Sequence, residues 1–131
     1  QHLINKMIHE MDYPESFLSI ESKICDLPYL REKDGIPNRR MDILCFAKNI
    51  YPQYSLYPLL IIECKSGPLK ESAWRQVKGY NHYIKAPFIA LANAENFYMS
   101  YYDSKEARYI TITKLLSYIE LISFIKPSIL L

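Results

Sequence analysis

One stretch, LLIIECKSGPLKESAWRQVKGY from Leu59 to Tyr80, contains an apolar run, two charged residues, a turn and a segment with helical spacing. Four apolar residues bounded by a turn are typical of a strand that is buried in a sheet. Because side chains alternate across a strand, Glu63 and Lys65 share one face while Cys64 points to the other. The stretch therefore predicts a strand and a helix with a carboxylate and an ammonium at their junction.

The flanking segments alternate between strand and helix patterns. Apolar residues recur at helical spacing from Leu3 to Met11, and this helix should end before Pro14. Strands are predicted in Phe17–Ile24, Met41–Ala47, Leu59–Lys65, Pro87–Asn93, Asn96–Asp103 and Ala107–Thr113, and helices in Leu69–Ile84 and Leu115–Ile125. The order α-β-β-β-α-β with a β-β-α extension predicts an α/β fold, in which helices flank a mixed central sheet.

Composition indicates one soluble globular domain over residues 1–131, with a net charge of +2 that is too small to indicate nucleic acid binding by itself. No apolar run approaches the roughly 20 residues that a bilayer crossing requires. The three cysteines match neither a disulfide framework nor a zinc site, which favours a reducing, cytoplasmic setting. The chain opens on Gln1 without a signal layout, so we expect a truncated N-terminus.

A hairpin between the second and third strands would bring two carboxylates together. The register that matches apolar with apolar residues pairs Asp42 with Glu63, Leu44 with Ile61, and Phe46 with Leu59. Directly opposed side chains lie about 5 Å apart, so the two acids would repel unless a cation lay between them. Mg²⁺ suits this position because it prefers oxygen ligands and usually takes one or two carboxylates. Lys65 would then lie where negative charge develops on a phosphate under attack.

The helix after this strand adds polar and basic positions. Gln76 and Tyr80 are four residues apart and share one face, from which Gln76 could reach Lys65. The candidates for contact with a nucleic acid backbone are Arg39, Arg40, Arg75, Lys78 and Tyr80.

Asp42, then Glu63-Cys64-Lys65, then Gln76-x-x-x-Tyr80, on β-β-α elements in that order, resemble the PD-(D/E)xK nuclease superfamily with its additional Gln-x-x-x-Tyr motif. The stretches RRMDILCF, LLIIECKSG and AWRQVKGYN are most similar to the N-terminal nuclease domain of type I restriction enzyme R subunits. The resemblance extends over roughly Leu3 to Asp103 and implies a restriction-endonuclease-like fold.

The resemblance also implies a function and its residues. It predicts a DNA endonuclease that depends on Mg²⁺, with Mn²⁺ as an alternative ion, and that has DNA and restriction-modification or helicase subunits as partners. Asp42 and Glu63 would hold the metal together with the backbone carbonyl of Cys64. Lys65 would stabilise or orient the nucleophile, and Gln76 would support the site.

The chain departs from the family pattern at two positions. Met41 stands where the superfamily name has a proline. The family glutamate on the first helix tends to lie near the helix start, which here falls before Gln1, so Glu10 is a stand-in candidate for catalysis. Two other interpretations stay open: Glu63 and Lys65 as a solvated ion pair, and a degenerate family member that binds DNA or a partner protein without cleaving.

Overall fold

The computed structural model describes residues 2–31 and 33–130, with side chains up to residue 125. Nine regular elements account for most of these residues. They are α1 (His2–Glu10), β1 (Leu18–Lys23), β2 (Arg40–Ala47), β3 (Tyr57–Cys64), α2 (Glu71–Ile84), β4 (Phe88–Ala92), β5 (Phe97–Asp103), β6 (Arg108–Ile112) and α3 (Tyr118–Leu130). Two short 3₁₀ helices, Glu15–Phe17 and Ile24–Asp26, flank β1. The predicted mixed α/β architecture is confirmed at this level.

The six strands form one sheet in the order in which they occur along the chain. Neighbouring strands are antiparallel except β3 and β4, which are parallel and are joined by α2. A parallel pair needs such a crossover because the chain must return to the same end of the sheet. The carboxyl ends of β3 and β4 therefore lie side by side in the middle of the sheet, next to the start of α2.

The register between β2 and β3 agrees with the prediction over its central part. Leu44 pairs with Ile61, but Phe46 pairs with Pro58 and not with Leu59, because the register shifts by one residue after Cys45. The shift is a β-bulge at a position where Pro58 has no N–H to donate to a regular ladder. The predicted pairing of Phe46 with Leu59 is therefore wrong.

Each face of the sheet packs against its own helical layer. On one face, Ile61 and Ile89 pack with Val77 of α2. On the other face, Ile62 packs with Met7 of α1 and with residues of α3. The alternation of side chains along β3 places Glu63 on the α2 face, because Ile61 points that way.

Side-chain hydrogen bonds set the ends of the two later helices. The hydroxyls of Tyr29 and Tyr57 donate to the carbonyls of Ile84 and Lys85, which the last turn of α2 leaves without partners. The closing helix begins at Tyr118 and not at Leu115 as predicted. The reason is a capping box, in which Ser117 and Glu120 bond each other's backbone N–H.

Within the described residues, no helix has both the length and the apolar character that crossing a bilayer requires.

Candidate active site

The candidate site lies at the carboxyl end of β3, beside its parallel neighbour. The backbone N–H of Lys65 donates to the carbonyl of Ala92 at 2.8 Å, so the pairing with β4 continues past the end of the strand. The Lys65 backbone is therefore held in place although the residue follows the strand. Ligand sites in sheets with parallel strands typically lie at this end.

The Glu63 carboxylate is buried and incompletely paired. Its residue is 4% exposed, and Lys65 Nζ lies 3.4 Å from Glu63 Oε2. The other oxygen, Oε1, is buried without a hydrogen-bond partner. Buried polar atoms almost always have a partner, so an unpaired carboxylate oxygen indicates a missing ligand or a strained site.

Asp42 approaches the same position from β2. The neighbouring pair has the register that opposes Asp42 to Glu63, because Ile43 pairs with Ile62. Asp42 Oδ2 accepts a 2.7 Å hydrogen bond from the backbone N–H of Cys64. This bond ties the Asp42 side chain to the end of β3, on which Glu63 precedes Cys64.

The proximity of the two acids changes the protonation of Glu63. The pKa of the Glu63 carboxyl is raised to about 7, mainly by burial and then by the neighbouring Asp42 carboxylate, whose effect exceeds the lowering by Lys65. A site that disfavours its own negative charge in this way favours a bound cation, which reverses the sign of the local field.

A chain of hydrogen bonds connects Lys65 to α2. Lys65 Nζ donates to Gln76 Oε1 at 2.6 Å, and Gln76 Nε2 donates to the hydroxyl of Tyr80 at 2.7 Å. Gln76 and Tyr80 meet because they lie one turn apart on the helix. The buried stripe of α2, which includes Val77 and Tyr80, sets the rotation of the helix and keeps Gln76 at its edge.

The model of one protein family, described as type I restriction enzyme R protein N terminus, matches residues 1–115. The chain belongs to this family. No curated protein and no solved structure matches the chain significantly.

The described residues of this restriction enzyme R family domain contain no group of three or more His, Cys, Asp or Glu that could hold a metal ion. Mg²⁺ needs no such group, because it usually binds through one or two carboxylates and keeps several waters. The carboxylates of Asp42 and Glu63 provide hard oxygen donors, and Glu63 Oε1 has an unused lone pair. The residues present therefore fit Mg²⁺ or Mn²⁺.

The predicted nucleic acid contacts separate into two groups. Arg39, Arg75 and Tyr80 line a groove of about 390 Å³ together with Gln76. Arg40 does not line it, and its guanidinium donates to the carbonyl of Glu21 at 3.4 Å. These positions make Arg39 and Arg75 the better candidates for phosphate contacts near the site.

Lys78 also lies outside this groove. It is exposed on α2, and its ammonium lies 5.9 Å from the centre of the Trp74 ring. Tyr80 is 6% exposed, and its hydroxyl accepts the bond from Gln76, so its contacts are mainly within the protein.

The structure does not bring Glu10 to the other site residues. Glu10 is exposed at the last residue of α1, whereas His2 at the first residue lines a cleft together with Cys64 and Lys65. At a rise of about 1.5 Å per residue, Glu10 lies about 12 Å from His2 along the helix axis. A glutamate at the end of α1 is thus at the wrong end of the helix to reach Lys65.

The same cleft contains two residues that the sequence did not indicate. Lys6 of α1 and Lys114, which follows β6, both line it. They are more than 100 residues apart in the chain, and neither lies within a recognisable motif. Only the antiparallel return of β6 along β5 brings Lys114 back to the end of the sheet where α1 begins.

Proposed function

We propose that this domain is a Mg²⁺-dependent endonuclease that hydrolyses DNA phosphodiester bonds by direct attack of water. The observation that carries the proposal is the buried, unpartnered Glu63 Oε1 beside Asp42, with Lys65 held 3.4 Å from the other Glu63 oxygen. A purely structural ion pair would pair both carboxylate oxygens or leave them in water. Membership in a restriction enzyme family supports the same function.

Asp42 and Glu63 would hold the metal, together with the backbone carbonyl of Cys64. When bound, Mg²⁺ would supply Lewis acid chemistry at the phosphate. The Cys64 N–H bond to Asp42 Oδ2 keeps that carboxylate oriented toward the end of β3.

Lys65 would stabilise the negative charge that gathers on the phosphate as water attacks. The new bond forms between the water oxygen and phosphorus, the attacking water gives up a proton to solvent, the bond to the leaving oxygen breaks, and that oxygen takes a proton from solvent. A fixed cation lowers this barrier most when it does not have to move during the reaction. The 2.6 Å bond to Gln76 provides that fixation, and Tyr80 in turn orients the Gln76 amide.

DNA would approach across the groove that contains Arg39 and Arg75. Guanidinium groups bind phosphates in two-pronged fashion, so two of them beside Gln76 suit a backbone that passes next to the reacting phosphate. As in other restriction systems, modification and helicase subunits are the protein partners that we expect for such a domain.

Plasmid nicking tests the proposal directly. With Mg²⁺ or Mn²⁺, we expect the parent protein to nick plasmid DNA and Lys65→Ala to lose on the order of 10²-fold or more, while DNA affinity falls much less. Lys105→Ala is the matched control, because Lys105 is an exposed lysine in the β5–β6 turn. Equal nicking by the Lys65→Ala and Lys105→Ala variants would contradict the role of Lys65.

Calorimetry with Mn²⁺ tests the metal site separately from activity. Asp42→Ala or Glu63→Ala should remove a weak divalent site, whereas Lys65→Ala should leave it largely in place because the lysine is not a ligand. Parent-like binding by all three variants would show that the metal lies elsewhere.

The alternative function is a degenerate domain that binds DNA or a partner protein without cleaving. The position of Glu10, away from Lys65, favours it. DNA binding by the parent without nicking in either metal would establish this alternative.

A further inference from the structure

A second cleft, of about 850 Å³, lies on the opposite side of the β3 end from the Arg39–Arg75 groove. Its apolar lining includes Leu3, Phe97 and Leu115. Its basic lining includes Lys6 and Lys114, both exposed. An apolar surface with an aromatic ring and a cationic rim is the combination that a nucleotide requires, since the base is flat and the phosphate is anionic.

The charge of the cleft favours an anionic ligand. Lys6 and Lys114 line it against one acidic residue, Glu95, while the charge of the third lysine, Lys65, is paired with Glu63. Among the described residues, neither Lys6 nor Lys114 forms an ion pair within 4 Å. Both ammonium groups are therefore free to bind a phosphate.

The wall formed by the β4–β5 turn is fixed before any ligand binds. Asn93 Oδ1 accepts hydrogen bonds from the backbone N–H groups of Glu95 and Asn96, and Asn93 Nδ2 donates to the carbonyl of Gly67. A wall held in this way loses little conformational entropy when a ligand enters, which favours binding.

Lys65 connects the cleft to the candidate active site. The residue lines the cleft, while its ammonium lies 3.4 Å from Glu63 Oε2 and 2.6 Å from Gln76 Oε1. A ligand in the cleft is thus one side chain away from the two carboxylates. A nucleotide bound in the cleft would therefore lie next to the phosphate that Lys65 contacts.

We propose that this cleft binds one unpaired nucleotide of the DNA strand that is cleaved, next to the reacting phosphate. The base would pack against Phe97, and the flanking phosphates would contact Lys6 and Lys114. The cleft has the size of a small-molecule site, and a base that is stacked and paired inside a duplex cannot enter it without leaving the helix. The substrate class is therefore DNA with unpaired nucleotides at the cleavage point, and this inference rests on the proposed endonuclease function.

Binding without metal tests the cleft without requiring cleavage. Fluorescence anisotropy in EDTA would compare a labelled single-stranded oligonucleotide with its duplex, for the parent, the Lys6→Ala/Lys114→Ala double variant and Lys105→Ala. We expect the double variant to lose on the order of 10-fold in single-strand affinity and about 1.4 units of salt dependence, at roughly 0.7 per phosphate contact. Lys105 is a suitable control because it lies in the turn at the other end of β5 and β6.

A second variant tests the base contact. Phe97→Leu keeps an apolar side chain in the core but removes the aromatic face, so its fold should persist while single-strand affinity falls by about 5-fold, at the low end of what one stacked base contributes. With 2-aminopurine in the oligonucleotide, its fluorescence should change on binding to the parent and change less with Phe97→Leu.

Cleavage distinguishes failure of this inference from failure of the proposed function. We expect the parent to cut a duplex with a short unpaired bubble faster than the same duplex without it, and the Lys6→Ala/Lys114→Ala variant to lose that preference. Equal cleavage of both substrates would overturn the unpaired-nucleotide inference and leave the nuclease intact. Single-strand binding that depends on Lys6 and Lys114, without cleavage of any substrate, would overturn the nuclease and support the cleft.

Discussion

Tyr13 and Glu63 are both buried polar side chains, and they lie on opposite faces of the sheet. In the layer of α1 and α3, the hydroxyl of Tyr13 donates a 2.7 Å hydrogen bond to the carbonyl of Leu116. In the layer of α2, Glu63 Oε1 has no partner. The Tyr13 hydroxyl stabilises the fold because its hydrogen bond replaces the one to water that is lost on burial. The Glu63 oxygen has no such replacement, so its burial destabilises the fold unless a ligand is bound. The difference shows that the Tyr13 hydroxyl is satisfied within the fold, whereas Glu63 keeps an oxygen that a ligand could occupy.

The largest effect should come from neutralising Glu63. Glu63→Gln keeps the shape of the side chain but removes the charge that would hold the proposed cation, so plasmid nicking should fall by more than about 10²-fold, beyond the range typical for partners of metal ligands. If the variant nicked DNA like the parent, the Glu63 carboxylate would have no role in cleavage, and the contrast drawn with Tyr13 would not hold.

The pH dependence of stability should reveal the same group. The pKa of Glu63 is raised from 4.5 to about 7, so the folded chain holds this proton more tightly than the unfolded chain. The corresponding stability is fully present below pH 4.5 and is lost as the pH rises through 7. Without metal, we expect the free energy of unfolding to fall by about 3 kcal/mol across this window, at roughly 1.4 kcal/mol per pKa unit.

Urea unfolding at pH 5 and pH 8 measures this change, and Glu63→Gln provides the reference because it cannot titrate. The parent should be less stable than the variant at pH 8 in EDTA, and Mn²⁺ should stabilise only the parent. A parent and a variant with parallel pH profiles would show that Glu63 does not titrate in this window.

A smaller effect on stability, without any effect on the site, is expected from Tyr13→Phe. The change leaves the buried Leu116 carbonyl without its donor, which should lower the free energy of unfolding by about 2 kcal/mol. Mn²⁺ binding should not change, because the hydroxyl lies in the other layer. Tyr102→Phe is the control, since Tyr102 is 54% exposed and its change should stay within about 0.5 kcal/mol.

The smallest effect should follow from Tyr80→Phe. The change removes the acceptor of Gln76 Nε2, so the Gln76 amide can rotate away from Lys65. We expect kcat to fall about 10-fold with KM and Mn²⁺ affinity unchanged, as for other groups that orient a reacting side chain. A fall in Mn²⁺ affinity would instead show that Tyr80 supports the carboxylates.

Most of the secondary structure was predictable because its patterns are local. The apolar spacing of α1, the alternation in β1 and the continuous apolar run of β3 each arise from neighbouring residues, and each predicted segment overlaps an observed element. The start of α3 was misplaced because the apolar pattern begins at Leu115, whereas the helix begins after the cap formed by Ser117 and Glu120. A cap depends on two specific hydrogen bonds, which an apolar pattern does not report.

The site was predictable in part for the same reason. Glu63 and Lys65 share a face by strand alternation, and Gln76 and Tyr80 meet by helical spacing. The pairing of Leu44 with Ile61 followed from matching apolar residues, but the shift that pairs Phe46 with Pro58 did not. A bulge changes which residues are opposed without changing the composition of either strand.

The sequence by itself determined the elements, their order, and the motif that contains Asp42, Glu63, Lys65 and Gln76, because each depends on residues close together in the chain or on strand pairing. Only the tertiary structure decided that Glu63 Oε1 is buried without a partner and that Lys6 and Lys114 line one cleft. Burial and the meeting of distant residues depend on how helices pack on the two faces of the sheet. The physical reason is that local patterns set the direction of a side chain, whereas its surroundings are set by packing between elements that lie far apart in the chain.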